Sequence, residues 1–110
     1  MATTLSSELV EIRDTFGLSK SELADLLHRR PQTMLEWETR GVPVDMRASV
    51  ERLLDLARVF RRKVIATRIP EVVRTRDAWL NDRTMLETLR SDGVDAIYTY
   101  LARLFAYETA

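Results

Sequence analysis

The sequence predicts an all-α protein: an N-terminal helix-turn-helix module, a long connecting helix and a small C-terminal helical domain. Three observations predict it. Apolar residues recur at spacings of three and four through most of the chain, the period of an amphipathic helix. Two capping-box patterns, Ser19 with Glu22 and Thr84 with Glu87, stand where helices would begin. The β-branched residues are dispersed and no stretch alternates for long, so strands have no support.

Composition bounds the answer. At 110 residues, with 45% hydrophobic and 31% charged positions, the chain suits one soluble domain, or a small domain with an appended helical module. It has no Cys, which rules out disulfides and thiolate metal sites, and the lone His28 does not suit structural zinc. A reducing cytoplasm is the simplest home. No apolar run approaches the roughly 18 residues of a membrane helix, and residues 1 to 15 lack the order of a signal peptide. Seventeen basic and seventeen acidic residues cancel, so affinity for a polyanion would need a local patch. Arg29, Arg30 and Arg40 flank the second helix of the motif, and Arg61, Arg62 and Lys63 cluster further on.

Taken in order, Leu5, Leu9, Ile12 and Phe16 form the stripe of a first helix, which Gly17 ends by accepting a left-handed cap. Residues 20 to 39 read as two short helices at a tight corner. Leu23, Leu26, Leu27, Met34 and Trp37 are apolar, and Ala24 is small where the helices cross. The corner falls at His28, and Pro31 has no N–H to lose at the first turn of the second helix. This is the pattern of a helix-turn-helix. Arg40-Gly41-Val42-Pro43 is a loop. A long helix is expected from about Asp45 to Thr67, with Val50, Leu53, Ala57, Phe60 and Val64 inward, Leu54, Leu56 and Ile65 widening the stripe, and Val59 on the far face. So wide a stripe leaves room for a dimer contact.

Ile69-Pro70 is expected to close that helix, because the residue before proline resists the helical region. It divides the chain into modules at 5–67 and 70–110. Residues 71 to 81 make a short helix or turn, Thr84 starts the next helix, and Asp92-Gly93 breaks the chain, with Asp92 or a neighbour capping a last helix. There Val94, Ile97, Tyr98, Leu101 and Phe105 point inward, while Tyr100, Leu104 and Tyr107 share a second face. That face suits a protein interface, which requires Tyr100 and Tyr107 to be substantially exposed, or it finishes the core.

No catalytic constellation is present. The chain has no Gly-rich phosphate loop, nucleophile elbow or His-x-x-x-His, and Asp77 with Asp82, or Glu36 with Glu38, suit solvated surface acids. Neither an enzyme nor a cofactor is expected. For DNA, the outward slots of the second motif helix are Pro31, Gln32, Leu35 and Glu36, with Thr33 alongside. Gln32 can read adenine with two hydrogen bonds and Glu36 can accept from cytosine. Lys20, Arg29, Arg30 and Arg40 can anchor phosphates in a salt-dependent way, opposed by Glu36 and Glu38.

Residues 20 to 39 resemble the twenty-residue motif of the Xre and phage-repressor families. Taken whole, about residues 5 to 107 resemble the Xre/MbcA/ParS-like antitoxins. The likeness rests on that motif, on Val50-Glu51-Arg52-Leu53 and Leu56 of the long helix from Arg47, on Trp79-Leu80, and on Thr84-Met85-Leu86-Glu87-Thr88-Leu89. The last is similar to the family's Thr-Pro-Leu-Glu-Leu-Leu signature, with Met85 in place of Pro. Only Asn81, Asp82 and Arg83 fill a loop that is longer and glycine-containing in the family. The resemblance implies a cytoplasmic antitoxin that covers the active-site entrance of a RES-type, NAD-consuming toxin and binds its own operator DNA as a homodimer. It implies that Trp79, Leu80, Thr84 and Leu86 order the toxin-binding domain, and that the chain end near Tyr107 lies closest to the toxin, which makes the face of Tyr100, Leu104 and Tyr107 the candidate for that contact. NAD would be the toxin's substrate and no ligand of this chain. The alternative is a plain helix-turn-helix regulator whose C-terminal helices dimerise it.

Overall fold

The computed structural model describes the backbone of residues 4–109 and the side-chain surroundings of residues 7–106. All regular structure among these residues is helical: α1 (Thr4–Phe16), α2 (Lys20–Leu26), α3 (Pro31–Arg40), α4 (Arg47–Lys63), α5 (Ile69–Val72), α6 (Met85–Asp92) and α7 (Val94–Thr109). The described part measures 47 × 25 × 24 Å. Leu5 and Tyr107 lie outside the residues whose side chains are described.

Local chemistry sets the helix starts. The Glu22 N–H donates to Ser19 Oγ at 3.1 Å while the Ser19 N–H donates to Glu22 Oε1 at 3.0 Å, so both orphan donors at the start of α2 are satisfied. Thr84 and Glu87 repeat the exchange at α6, at 3.0 and 2.9 Å. Pro31 occupies the first turn of α3. Gly17 ends α1 with φ +68°, a region that favours glycine.

Packing follows the apolar stripes. α1 lies along α4, with Phe16 and Phe60 edge-to-face at 5.3 Å, and Arg58 Nε donates to Glu11 at 3.0 Å across the same pair. α2 packs on α3, and α7 on α4 and α6. One connected cluster of buried side chains runs from Leu9 through Ala24, Met34, Trp37, Val50, Phe60 and Val73 to Ile97 and Leu101.

Four expectations for the middle of the chain are corrected. The long helix is shorter than 45–67: a 3-10 turn at Val44–Met46 leads into it, and it ends at Lys63, because Val64 is extended at φ −127°, ψ 142°. Ile69-Pro70 therefore does not close α4. Pro70 sits in the first turn of α5, where its missing N–H is harmless. Ile65, past the end of α4, is 69% exposed instead of widening the stripe, and Val59 is half-buried against the core.

Between α4 and α5, where a module boundary was expected, lies the 3-10 turn Ala66–Arg68. Arg74 spans that region. Its guanidinium donates to Phe16 O at 3.0 Å, Gly17 O at 2.7 Å and Pro70 O at 2.9 Å, and to the Glu22 carboxylate at 3.0 Å. It thus satisfies carbonyls at the end of α1 and holds the start of α2. The Ser19 N–H and, with it, Arg74 keep the Glu22 carboxyl below the usual carboxylate range.

Candidate functional site

The first candidate surface is the α2–α3 corner. His28 takes φ +56° where α2 turns out of the helix, a region in which histidine is more frequent than most residues. The Arg29 N–H donates back to Ala24 O at 2.8 Å, so the corner is short and fixed. Ala24, Met34 and Trp37 are buried beneath it. On the other side of α3, Pro31, Gln32, Glu36 and Arg40 are exposed, Thr33 is half-buried and Leu35 is 51% exposed.

The basic residues around this face are not equivalent. Arg30 is exposed. Arg29 donates to His28 O at 3.0 Å and to Met46 Sδ at 3.2 Å, so its guanidinium is drawn toward the start of α4. Lys20 is half-buried, with Nζ 3.9 Å from Glu38, whose other oxygen takes Arg13 at 3.0 Å. Glu38 thereby neutralises part of the charge expected to anchor phosphates. Of the 61–63 cluster, Arg61 Nε donates to Thr15 Oγ1 at 2.6 Å and Lys63 Nζ lies 5.4 Å from the Phe105 ring centre. Both are used within the chain.

The second candidate surface is the turn that carries Trp79. Asp77 is its node: Oδ1 accepts the Trp79 N–H and Oδ2 the Tyr100 hydroxyl, both at 2.8 Å, and its backbone pairs with Arg83. Asn81 and Asp82 follow with φ +60° and +61°, which lets the chain reverse within the three residues Asn81, Asp82 and Arg83. Trp79 is 42% exposed, edge-on to Tyr100 at 6.1 Å, with the Arg103 guanidinium 5.0 Å over its ring.

The requirement that Tyr100 be exposed is not met. Its ring is 8% exposed and its hydroxyl is taken by Asp77, because α7 turns this position toward α6 and the 77–83 turn rather than outward. Leu104 is half-buried, and Tyr107 lies outside the described side chains. Leu80 is buried, Thr84 caps α6, and Leu86 is half-buried, its N–H donating to Val73 O at 3.2 Å. These residues order the C-terminal part, and Trp79 is the one that projects.

Burial, then the bond to Asp77, pushes the Tyr100 hydroxyl up to about 12. In the unfolded chain it ionises near 10, so between pH 10 and about 12 the unfolded state sheds its proton first, and stability falls as pH rises. Urea unfolding at pH 9 and pH 11 is expected to show wild type losing on the order of 1 kcal/mol more than Tyr100→Phe. Equal losses would refute the buried, neutral hydroxyl.

Arg74 and Arg103 were not singled out from the sequence, and Asp77, expected to be a solvated surface acid, is instead half-buried and holds the Trp79 N–H and the Tyr100 hydroxyl. Asp77 had a signal, an acid two residues before an apolar Trp-Leu pair that can cap a turn. Arg74 and Arg103 had none, since their partners lie far along the chain.

Compared with protein-family models, with curated proteins and with solved structures, the chain matches none of them. Among the described residues no group of acids and histidine is placed to hold a metal, and no helix is long and apolar enough to cross a membrane.

Proposed function

We propose that the chain is the antitoxin of a toxin–antitoxin pair. In this reading it binds operator DNA as a cytoplasmic homodimer through the α2–α3 corner, a helix-turn-helix, and neutralises a RES-type, NAD-consuming toxin through its C-terminal part. It acts by binding and carries no cofactor. The observation that supports the reading most directly is the two-sided character of α3: Met34 and Trp37 are buried while Gln32, Leu35 and Glu36 face away from the core. Gln32 and Glu36 can read base edges, and Leu35 can touch a thymine methyl. For the toxin, Trp79 with Arg103 supplies the residue types that most often anchor protein interfaces.

The test has two arms. A duplex from the chain's own promoter region should bind in a salt-dependent manner, with Gln32→Ala weakening the preferred base by about 1 to 3 kcal/mol and Arg29→Ala with Arg30→Ala weakening all sequences alike. A triple variant that binds like wild type would rule out this placement. Co-expression with the product of the neighbouring reading frame should yield a complex in which NAD consumption stops. Failure of that arm alone leaves the second reading, a regulator without a toxin. The burial of Tyr100 favours this alternative, because it removes one aromatic anchor from the expected toxin-facing side.

A further inference from the structure

Where the α2–α3 corner, the start of α4 and the α6–α7 junction meet, the surface opens into a cleft of about 420 Å³. Sites for small molecules commonly measure about 300 to 1,000 Å³. One part of the lining is apolar: Leu26, Leu53, Leu89 and Val94, from four different helices and all buried or half-buried. The polar part is mainly His28, Arg52 and Arg90.

The two arginines are positioned without being used up. Arg90 is tethered through Nε to Asp25 at 2.8 Å, and Arg52 through one terminal nitrogen to Asp95. A guanidinium carries five N–H donors, so each retains unfilled donors on a planar fork of a kind that suits a carboxylate. Asp92, the one acid on the lining, is already engaged by Arg83 at 2.8 Å. His28 Nε2 lies 3.1 Å from the Arg90 carbonyl and fixes that wall. Each charged group of the lining is matched by an opposite charge, so what the cleft offers an anion is the open N–H donors of Arg52 and Arg90 beside a hydrocarbon surface.

We propose that this cleft binds a small organic acid, its carboxylate on the open donors of Arg52 and Arg90 and its apolar body on the leucines. A neutral apolar molecule would leave the donors unfilled, and an inorganic anion would leave the hydrocarbon wall wet. The proposal is independent of DNA or toxin binding.

The test is an amide NMR titration of the full chain with 4-phenylbutyrate and, separately, with its neutral amide. The amides of Ser49, Ser91, Gly93 and Val94 are expected to shift and saturate with the acid. The neutral compound should require at least about tenfold more for the same effect, roughly the 1.4 kcal/mol that one charge-assisted contact can supply. Arg52→Gln should weaken the acid at least about fivefold, Arg52→Lys should restore part of the loss, and both should melt with wild type. Ser49→Trp, which fills the cleft from an exposed position, should abolish binding in a folded protein. Unshifted lining amides, equal binding of acid and neutral compound, an Arg52→Gln variant that binds like wild type, or binding that survives Ser49→Trp would each overturn the proposal.

Discussion

Replacing Trp37 with alanine is expected to destabilise the protein by about 3 to 5 kcal/mol, the range for emptying a buried aromatic site. The indole is 7% exposed and shares the buried cluster with Ala24, Leu27 and Met34, so its loss leaves a void directly under the α2–α3 corner. The range is a large share of the roughly 5 to 15 kcal/mol that holds a domain of this size. The denaturant midpoint should drop steeply at near-constant slope, and Trp37→Phe should recover much of the loss. A midpoint within error of wild type would show that the corner is packed by other side chains.

Gly17→Ala should come second, at about 2 to 5 kcal/mol. A residue with a Cβ at φ +68° is expected to give up about 1 to 2 kcal/mol, and the new carbon would lie 2.9 Å from Pro70 Cγ and 3.0 Å from Pro70 Cβ, which adds an overpacking cost of about 1 to 3 kcal/mol. Gly93→Ala shows a backbone cost without a packing one, at its own conformation of φ +88°, ψ 179°. Gly93 has φ +88° and nothing within 4 Å of an added Cβ, so only the backbone part should appear there. A Gly17→Ala loss of no more than about 1 kcal/mol would mean that Pro70 yields freely and that the contact between α1 and α5 is loose.

Helix starts were the most legible part of the sequence, because each rests on residues within one turn. Ser19 with Glu22, Thr84 with Glu87 and Pro31 all act where they were read. The inward stripe of α4 was legible for the same reason, up to Phe60. Its end was not. Val64 and Ile65 continue the apolar period, but the chain turns extended at Val64 so that Ile69 and Val73 can be buried, a choice made by tertiary packing. Pro70 misled because proline both ends and begins helices, and only the neighbouring fold decides which.

The candidate surfaces divide along the same line. The outward set on α3 follows from helical period once Met34 and Trp37 are known to be inside. The burial of Tyr100 does not, since two faces of α7 carry aromatics and its hydroxyl's partner, Asp77, lies 23 residues away. The restraint of Lys20 by Glu38 was equally hidden, because it depends on how α2 and α3 cross.

The corner at His28 has one more consequence. Glycine, the usual occupant of such a bend, would hold the same backbone and offer nothing to grip. The imidazole instead reaches the last turn of α6, 62 positions along the chain. The bend that orients α3 is thereby fastened to the C-terminal half, and a displacement of α6 would be felt at α3 as a pull on that ring.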